Sequence, residues 1–326
     1  MDTVGLPYVS TGTLPPTDVV ADLVREAYER YRDNVEGEVS RVYPALEVIP
    51  ADLFGVCVVG VAGNATAAGD ADDEFTVMSV AKPFVFALVC AALGPQEVQQ
   101  RIGVDATGLP FNSLAAVERG NGRSNPMVNA GAIATTSLTP GASAETRWEH
   151  LVDGLSAFAG RPLSLDADVF ASASATNQRN QAIARLLHSY RGLGCDPDEA
   201  TDLYTRQSCL RVTARDLAVM GATLADGGVN PVTGMRVVDP VSARCTLAVM
   251  TTAGLYETSG AWLFEVGLPG KSGIGGGIVT VSPGKGGLGT FAPTLDPEGN
   301  SVKGRLVARF LAARLGLDLF QSEPVS

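Results

Sequence analysis

The chain has 326 residues, of which 45% are hydrophobic and 18% charged, a balance typical of globular rather than disordered proteins. Its formal net charge is −11 and it contains no basic run, which argues against nucleic acid or an anionic membrane surface as a partner. It has no run of eighteen apolar residues, and residues 1–16 lack the features of a signal peptide, so we expect a cytoplasmic protein.

The first quarter of the chain predicts a helix, a hairpin and a second helix. The helix begins at Thr17, and its apolar residues recur at helical spacing. A valine-rich strand over residues 54–62 is followed by a turn at Gly63-Asn64 and a strand over residues 65–68. The apolar run 83–93 then predicts a buried helix that carries Ser79 at its N-terminal end.

The pattern from about residue 95 to residue 240 is helical. Thr213 and Asp216 have the spacing of a capping box. A further helix is expected from Pro240 to about residue 252, then strands over residues 262–266, 276–281 and 288–291, with a turn at 282–287, and a last helix over residues 302–315. The predicted helices of the central block cover residues 113–119, 127–137, 147–159, 177–190 and 213–226.

These elements predict one α+β domain over residues 1–326. Strands near both chain ends imply an antiparallel sheet built from residues 17–94 and 240–320, with a helical lobe over residues 95–239 inserted between them. The terminal helices would cover one face of the sheet. A cleft with Ser79 would lie where the two lobes meet.

The chemistry is predicted at Ser79 and Lys82, which have the spacing S-x-x-K. On a helix the two side chains share a face, and a desolvated lysine can take the proton of a serine nucleophile. The motif alone also fits an ordinary helix start, and Ser282 and Lys285 repeat it around a Pro-Gly pair that no helix accommodates. The chain has four lysines against twenty arginines, so a lysine kept in an apolar stretch is a candidate for proton transfer.

Further candidates lie later in the chain. Lys271-Ser272-Gly273 resembles the K-T-G element of penicillin-recognising enzymes, and Lys271 can hold a substrate carboxylate or support the reacting serine electrostatically. A glycine-rich turn entering a strand gives the same pattern. A backbone N–H in this stretch and that of Ser79 would together form an oxyanion hole. Asn129 can bind a substrate carboxylate or amide, or cap a helix; Tyr256 can carry a proton, or simply pack.

Cysteine and histidine usage narrows the classes of site. The two histidines, His150 and His188, lie on predicted helices, which argues against a histidine-based triad or a zinc site, and no metal or organic cofactor is expected. The cysteines are scattered without a C-x-x-C pair and are interpreted as free, buried thiols in a reducing compartment: Cys57, Cys90, Cys195, Cys209 and Cys245.

Taken together, the motifs resemble the serine-dependent glutaminases, which share the fold of β-lactamases and penicillin-binding proteins. The resemblance runs in unbroken order from about residue 17 to residue 320, and its most specific blocks are N-P-M-V-N-A-G-A and K-S-G-I-G-G-G-I. The matching segments begin at Tyr43-Pro44, Ser79-x-x-Lys82, Asn125, Arg179-Asn180, Tyr204, Thr251, Lys271 and Asn300.

The resemblance implies hydrolysis of glutamine to glutamate and ammonia through an acyl-enzyme, in a homodimer or homotetramer. It implies that Ser79 is the nucleophile and Lys82 its activator, and that Tyr256, with Tyr43 beside it, passes a proton to the leaving ammonia. The amides of Ser79 and Ile274 would hold the oxyanion. The groups implied to hold the amino-acid end of the substrate are those of Asn129, Asn180 and Tyr204.

Two positions depart from the family pattern. Ala173 stands seven residues before Asn180, where the family usually has a glutamate that contacts the α-ammonium of glutamine, and Ala81 stands where serine is common. Three alternatives to a glutaminase remain open, and the first two follow from Ala173. They are a related amidase whose substrate lacks a free α-ammonium, a binding protein without turnover, and a β-lactam enzyme, the last disfavoured because no S-D-N element or export signal is present.

Overall fold

The computed structural model describes residues 12–321. Their helices are α1 (Thr17–Tyr31), α2 (Ala81–Leu93), α3 (Pro95–Ile102), α4 (Leu114–Arg119), α5 (Asn129–Ser137), α6 (Ala144–Ala159), α7 (Ala167–Ala175), α8 (Gln178–Ser189), α9 (Pro197–Ser208), α10 (Ala214–Ala225), α11 (Pro240–Ala253), α12 (Ser259–Val266) and α13 (Val302–Arg314). Their strands are β1 (Glu38–Val39), β2 (Gly55–Gly60), β3 (Ala65–Gly69), β4 (Phe75–Thr76), β5 (Arg211–Val212), β6 (Gly270–Ser272), β7 (Gly277–Ser282), β8 (Gly286–Phe291) and β9 (Thr294–Leu295).

A five-stranded antiparallel sheet joins the two ends of the chain. Its strand order is β3-β2-β8-β7-β6, and β2 pairs with β8 from Gly55 opposite Phe291 to Gly60 opposite Gly286. The predicted α+β class, with an antiparallel sheet built from both chain ends, is confirmed. Two short strand pairs, β1–β9 and β4–β5, lie outside this sheet.

Helices cover both faces of the sheet. One face packs against α1, α12 and α13 through an apolar cluster that includes Val24, Val56 and Leu311. The other face packs against α10, which runs close over β7 and β8. This approach requires glycine on β8, because a Cβ at Gly289 would lie 2.0 Å from the carbonyl oxygen of Ala214.

The remaining helices surround α2, which is buried from Ala81 to Cys90. Its neighbours are α5, α6 and α11, and the apolar cluster they form continues across α10 to the sheet. The first turn of α2 therefore lies where the sheet and the helices meet. That position places Ser79 and Lys82 between two packed layers.

The order of elements largely follows the predicted one, with one clear error. Residues 262–266 were predicted as a strand and form α12 instead, which begins at Ser259. In a strand Trp262, Phe264 and Val266 would share a face, but Trp262 and Val266 are buried while Phe264 is 92% exposed. Helical spacing explains this split, and Gly267 ends the helix in the left-handed conformation with φ 69°.

Three further helices, α3, α7 and α9, were not predicted, and neither were the sheet strand β6 and the short strands β1, β4, β5 and β9. The N-cap side chains of Asp166 and Asp196, together with prolines at the first turns of α3 and α9, were signals available in the sequence. The capping box of Thr213 and Asp216 at the start of α10 is confirmed, with both reciprocal hydrogen bonds present.

Other features bear on the excluded classes of site. All five cysteines are free thiols, as predicted; Cys57, Cys90 and Cys209 are buried, whereas Cys195 and Cys245 are only partly buried. Within residues 12–321, no group of three or more His, Cys, Asp or Glu residues is arranged to hold a metal ion. In the same range no single helix is long and apolar enough to cross a membrane, whereas Met78–Leu93 and Pro95–Ile102, bent by 119°, pass that test only as a pair.

Candidate active site

Ser79 lies in a 3₁₀ turn, Met78–Val80, that leads directly into α2. The preceding residue, Met78, has a φ of 46°, which is unfavourable for a side chain of its size. The turn is fixed on its N-terminal side, where β4 pairs with β5 and the amide of Val77 donates to the carbonyl of Leu210. Backbone strain at this position is thus held in place by the surrounding pairing.

Lys82 is hydrogen-bonded to Ser79 and Asn129. Its Nζ lies 2.8 Å from Oγ of Ser79 and 2.9 Å from Oδ1 of Asn129. The lysine is 2% exposed, and burial lowers its pKa to about 7. A substantial fraction of the amine is therefore neutral at physiological pH and able to accept the proton of the serine hydroxyl.

Three tyrosines surround this pair. Tyr204 donates a hydrogen bond of 3.1 Å to Oδ1 of Asn129, and burial raises its pKa well above the ordinary value. Tyr256 has a φ of 54° and donates to the carbonyl of Ser272 at 3.3 Å. Burial raises the pKa of Tyr256 to about 12, against the opposing effect of hydrogen bonding with Ser79 and Ser272, so its phenol stays protonated. The pKa of Tyr43, which lines the same pocket, is also raised, first by burial and then by Cys209.

The glycine-rich segment after β6 lies against the Ser79 turn. A Cβ at Gly273 would be 3.1 Å from the carbonyl oxygen of Val77 and 3.2 Å from the amide nitrogen of Ser79. The next residue, Ile274, lines the pocket, and its N–H makes no hydrogen bond within residues 12–321. The close approach brings the amides of Ser79 and Ile274 into one region, as an oxyanion hole requires.

Lys271 is placed differently from the other predicted site residues. It is fully buried on β6, where its Nζ donates to the carbonyl of Ser272 at 2.6 Å and lies 4.1 Å from the ring centroid of Tyr256. Burial, and then the charge of Lys82, hold its pKa well below the ordinary value. These contacts favour an action of Lys271 through the carbonyl of Ser272 and the ring of Tyr256.

A row of amide side chains continues from Lys82. Nδ2 of Asn129 donates to Oδ1 of Asn180 at 3.0 Å, and Nδ2 of Asn180 donates to Oδ1 of Asn177 at 2.7 Å. Asn177 in turn donates to Oγ1 of Thr205, which donates to the carbonyl of Thr201. Each amide is thereby fixed in one orientation. Asn177 and Thr205 were missed in the sequence, where no charge or motif distinguishes them.

These side chains border a cavity of about 160 Å³, lined by Val42, Tyr43, Met78, Ser79, Phe111, Asn112, Asn129, Ala173, Thr176, Asn177, Arg179, Asn180, Tyr204, Thr205, Ser208, Cys209 and Ile274. One water needs about 10–15 Å³ of such space, so the cavity admits a molecule of amino-acid size. The structure therefore brings together Ser79, Lys82, Tyr256 and the asparagines. His150 and His188 are exposed on α6 and α8, and neither lines this cavity.

Comparison with known proteins agrees with this arrangement. Residues 37–320 match the family model for glutaminase. The chain belongs to the glutaminase family. It is 64% identical over 318 residues to a protein of Yersinia pestis named glutaminase 2, with 97% of this chain and 94% of that protein covered.

Two solved structures of glutaminases extend the agreement to the fold. A probable glutaminase, ybaS, superposes with a TM-score of 0.93 at 42% identity, covering 94% of this chain and all of the other. A Bacillus subtilis glutaminase, YbgJ, in a covalent complex with 5-oxo-L-norleucine, superposes with a TM-score of 0.84 at 30% identity, covering 92% of this chain and all of the other. This chain is thus an enzyme of the glutaminase class with the β-lactamase-like fold of that family.

Proposed function

We propose that this enzyme hydrolyses the side-chain amide of L-glutamine to L-glutamate and ammonia through an acyl-enzyme on Ser79. The observation that carries the proposal is the 2.8 Å contact between Oγ of Ser79 and Nζ of Lys82, on a lysine that burial leaves partly neutral. A serine hydroxyl needs such a base in order to attack an amide.

In the proposed first step, Oγ of Ser79 attacks the side-chain carbonyl carbon as its proton passes to Nζ of Lys82. The carbonyl oxygen becomes an oxyanion held by the amides of Ser79 and Ile274. The C–N bond then breaks and Tyr256, with Tyr43 beside it, supplies a proton to the leaving nitrogen. A phenol whose pKa is about 12 keeps the proton until the developing amine takes it.

In the proposed second step, water attacks the ester on Ser79 and the same groups act in reverse, which releases glutamate and restores the hydroxyl. Asn129, Asn180 and Tyr204 would hold the amino-acid end of the substrate through both steps. Lys271 would act by electrostatic support and by orienting Tyr256, whose ring it faces at 4.1 Å.

The experiment is ammonia release from L-glutamine, with wild type beside Ser79→Ala, combined with labelling by 6-diazo-5-oxo-L-norleucine. That reagent formed the covalent complex of the Bacillus subtilis glutaminase. We expect turnover only in wild type and a single adduct that peptide mass spectrometry places on Ser79. Turnover or labelling that persists in Ser79→Ala would exclude Ser79 as the nucleophile.

We further propose that residues 1–326 form a single catalytic domain that works in the cytoplasm as a homodimer or homotetramer. The free cysteines support a reducing compartment. The 92% exposure of Phe264 supports self-association, because aromatic side chains are enriched in subunit interfaces. Light scattering of wild type and Phe264→Glu, in which the assembly should weaken, tests the oligomer.

A further inference from the structure

One side of the cavity consists of uncharged groups, and we refer to it as the neutral wall: Ala173, Asn177, Thr205, Ser208 and Cys209. Ala173 and Asn177 are four residues apart at the end of α7 and just beyond it, while Thr205 and Ser208 lie in the last turn of α9 and Cys209 follows that helix. Asn177 joins the two helices through its 2.6 Å hydrogen bond to Thr205. The neutral wall is therefore built from the C-terminal ends of two helices that this hydrogen bond connects.

No carboxylate lines the cavity within residues 12–321, and Arg179 is the one charged side chain in its lining. Glutamine carries both a carboxylate and an ammonium at its α-carbon. A buried ammonium needs a charged or strongly accepting partner to replace water. The cavity provides a cation that suits the carboxylate but no anion for the ammonium.

The neutral wall is apolar around Ala173, and the hydroxyls of Thr205 and Ser208 both donate to backbone carbonyls. Ala173 is 1% exposed and packs in a cluster with Leu46, Met78, Val169 and Cys209. None of these side chains is an acceptor strong enough for an ammonium group.

The side chain of Asn177 has a free hydrogen-bond donor and a free acceptor, which a neutral amide of the substrate can pair with. Its Oδ1 already receives a hydrogen bond from Asn180 and its Nδ2 gives one to Thr205, so one N–H and one lone pair remain. An acylated nitrogen, which has one N–H and one carbonyl, matches that pair.

We propose that the pocket selects glutamine-like amides whose α-nitrogen carries no positive charge, with an N-acylated glutamine preferred over glutamine itself. This inference rests on the proposed amide hydrolysis at Ser79 and concerns the recognition of the other end of the substrate. Asn177 is then a specificity-determining residue, and Ala173 leaves the neutral wall without a charge.

The first test compares ammonia release from L-glutamine and N-acetyl-L-glutamine by the wild-type enzyme. A charge-assisted hydrogen bond that the ammonium fails to find corresponds to about ten- to a hundredfold in affinity. We therefore expect kcat/KM to favour N-acetyl-L-glutamine by at least about tenfold, mostly through KM. Calorimetric binding of both amides to Ser79→Ala, which removes the nucleophile, separates recognition from turnover.

The second test places a carboxylate on the wall without changing its shape. Asn177→Asp is nearly isosteric, and the hydroxyl of Thr205 can turn to donate to the new carboxylate in place of the Thr201 carbonyl. We expect kcat/KM for L-glutamine to rise about ten- to a hundredfold and that for N-acetyl-L-glutamine to fall. Ala173→Glu and its neutral match Ala173→Gln form a second pair, in which only the charged variant should favour glutamine.

The outcomes separate this inference from the proposed function. Serine-dependent turnover that favours L-glutamine in wild type overturns the inference and leaves the proposed function standing. Absence of turnover on both amides, together with no labelling of Ser79, overturns both. If the variants fail to fold, the wild-type ratio and the binding data for Ser79→Ala decide.

Discussion

The chain contains the spacing S-x-x-K twice, and the two copies have different structures. Ser79 lies in a 3₁₀ turn that continues as a helix, and its hydroxyl contacts Lys82 at 2.8 Å in a buried pocket. Ser282 ends β7 and Lys285 lies in the turn before β8. Their side chains do not meet, because Ser282 donates to the carbonyl of Leu317 and Lys285 to that of Gly316.

The difference shows that spacing alone does not make a nucleophile and base. The first copy gains its chemistry from a helical start, which puts both side chains on one face, and from burial, which lowers the pKa of Lys82 to about 7. In the second copy the Pro283-Gly284 turn directs the side chains apart, and Lys285 remains half-buried. Paired variants at the two copies can therefore isolate what burial and helix geometry contribute.

The largest expected effect is the difference in kcat between two variants, Lys82→Met in the first copy and Lys285→Met in the second. Lys82→Met removes the base for Ser79, and general-base catalysis contributes about 10²–10⁴-fold, so kcat should fall by that factor. Lys285→Met should change kcat by less than about twofold, as expected for a site remote from the chemistry. Steady-state ammonia release from the two variants measures both.

Equal losses in the two variants would mean that a lysine acts through overall stability and not through Ser79. No loss in Lys82→Met would mean that another group takes the serine proton. Circular dichroism of both variants, expected to match wild type, is the control for folding.

A smaller loss of kcat is expected when Tyr256 is changed. Tyr256 is a hydrogen-bonding neighbour of Ser79, whereas Ser282 of the second copy donates to the carbonyl of Leu317. Tyr256→Phe keeps the ring under Lys271 and removes the phenolic proton, so kcat should fall about 100-fold with little change in KM. The loss should shrink on the γ-(4-nitroanilide) of glutamate, whose leaving group needs less assistance from an acid.

Tyr190→Phe, on a residue just after α8 that is 40% exposed, is the matched control and should retain wild-type rates. An equal loss of Tyr256→Phe on both substrates would assign the tyrosine to packing instead of proton donation.

A moderate effect is expected on the pH dependence of kcat/KM, which should increase with pH. Lys82 must be neutral to accept a proton, and its pKa is about 7, so kcat/KM should rise about tenfold between pH 6 and pH 8 and then level off. Tyr256, with a pKa of about 12, should add no falling limb below pH 9. Lys285→Met should show the same profile, whereas a flat profile in wild type would remove Lys82 as the titrating base.

The sequence predicted the sheet because β2, β7 and β8 are short apolar runs bounded by turn residues, which is a local signal. It failed at residues 262–266, where five mostly apolar residues fit either period and only tertiary packing leaves Phe264 outside. The predicted helices that were confirmed have long periodic faces or clear caps, such as α1 and α10.

The residues of the candidate site also fall into two groups, those that a local motif predicts and those that only packing between elements explains. Ser79, Lys82 and Asn129 carry recognisable motifs, and the structure brings them together. The roles of Asn177 and Thr205 depend on the packing of α7 and α8 beside α9, a contact between elements that no local pattern specifies. Lys271 was expected near the substrate because its motif is known, but its direction from β6 toward the ring of Tyr256 is a property of the fold.

The smallest effect concerns stability. Lys82 has a folded-state pKa of about 7 against 10.5 when unfolded, so between these values the unfolded chain binds more protons and wild-type stability should rise with pH. Lys82→Met lacks this pH-dependent contribution to the free energy of unfolding. Relative to that variant, wild type should gain about 2 kcal/mol of unfolding free energy between pH 7 and pH 9. Denaturant unfolding at the two pH values measures the gain, and Lys285→Met should follow wild type. A gain that is the same in all three proteins would show that burial of Lys82 is not linked to proton binding, and the difference between the two S-x-x-K copies would then rest on geometry alone.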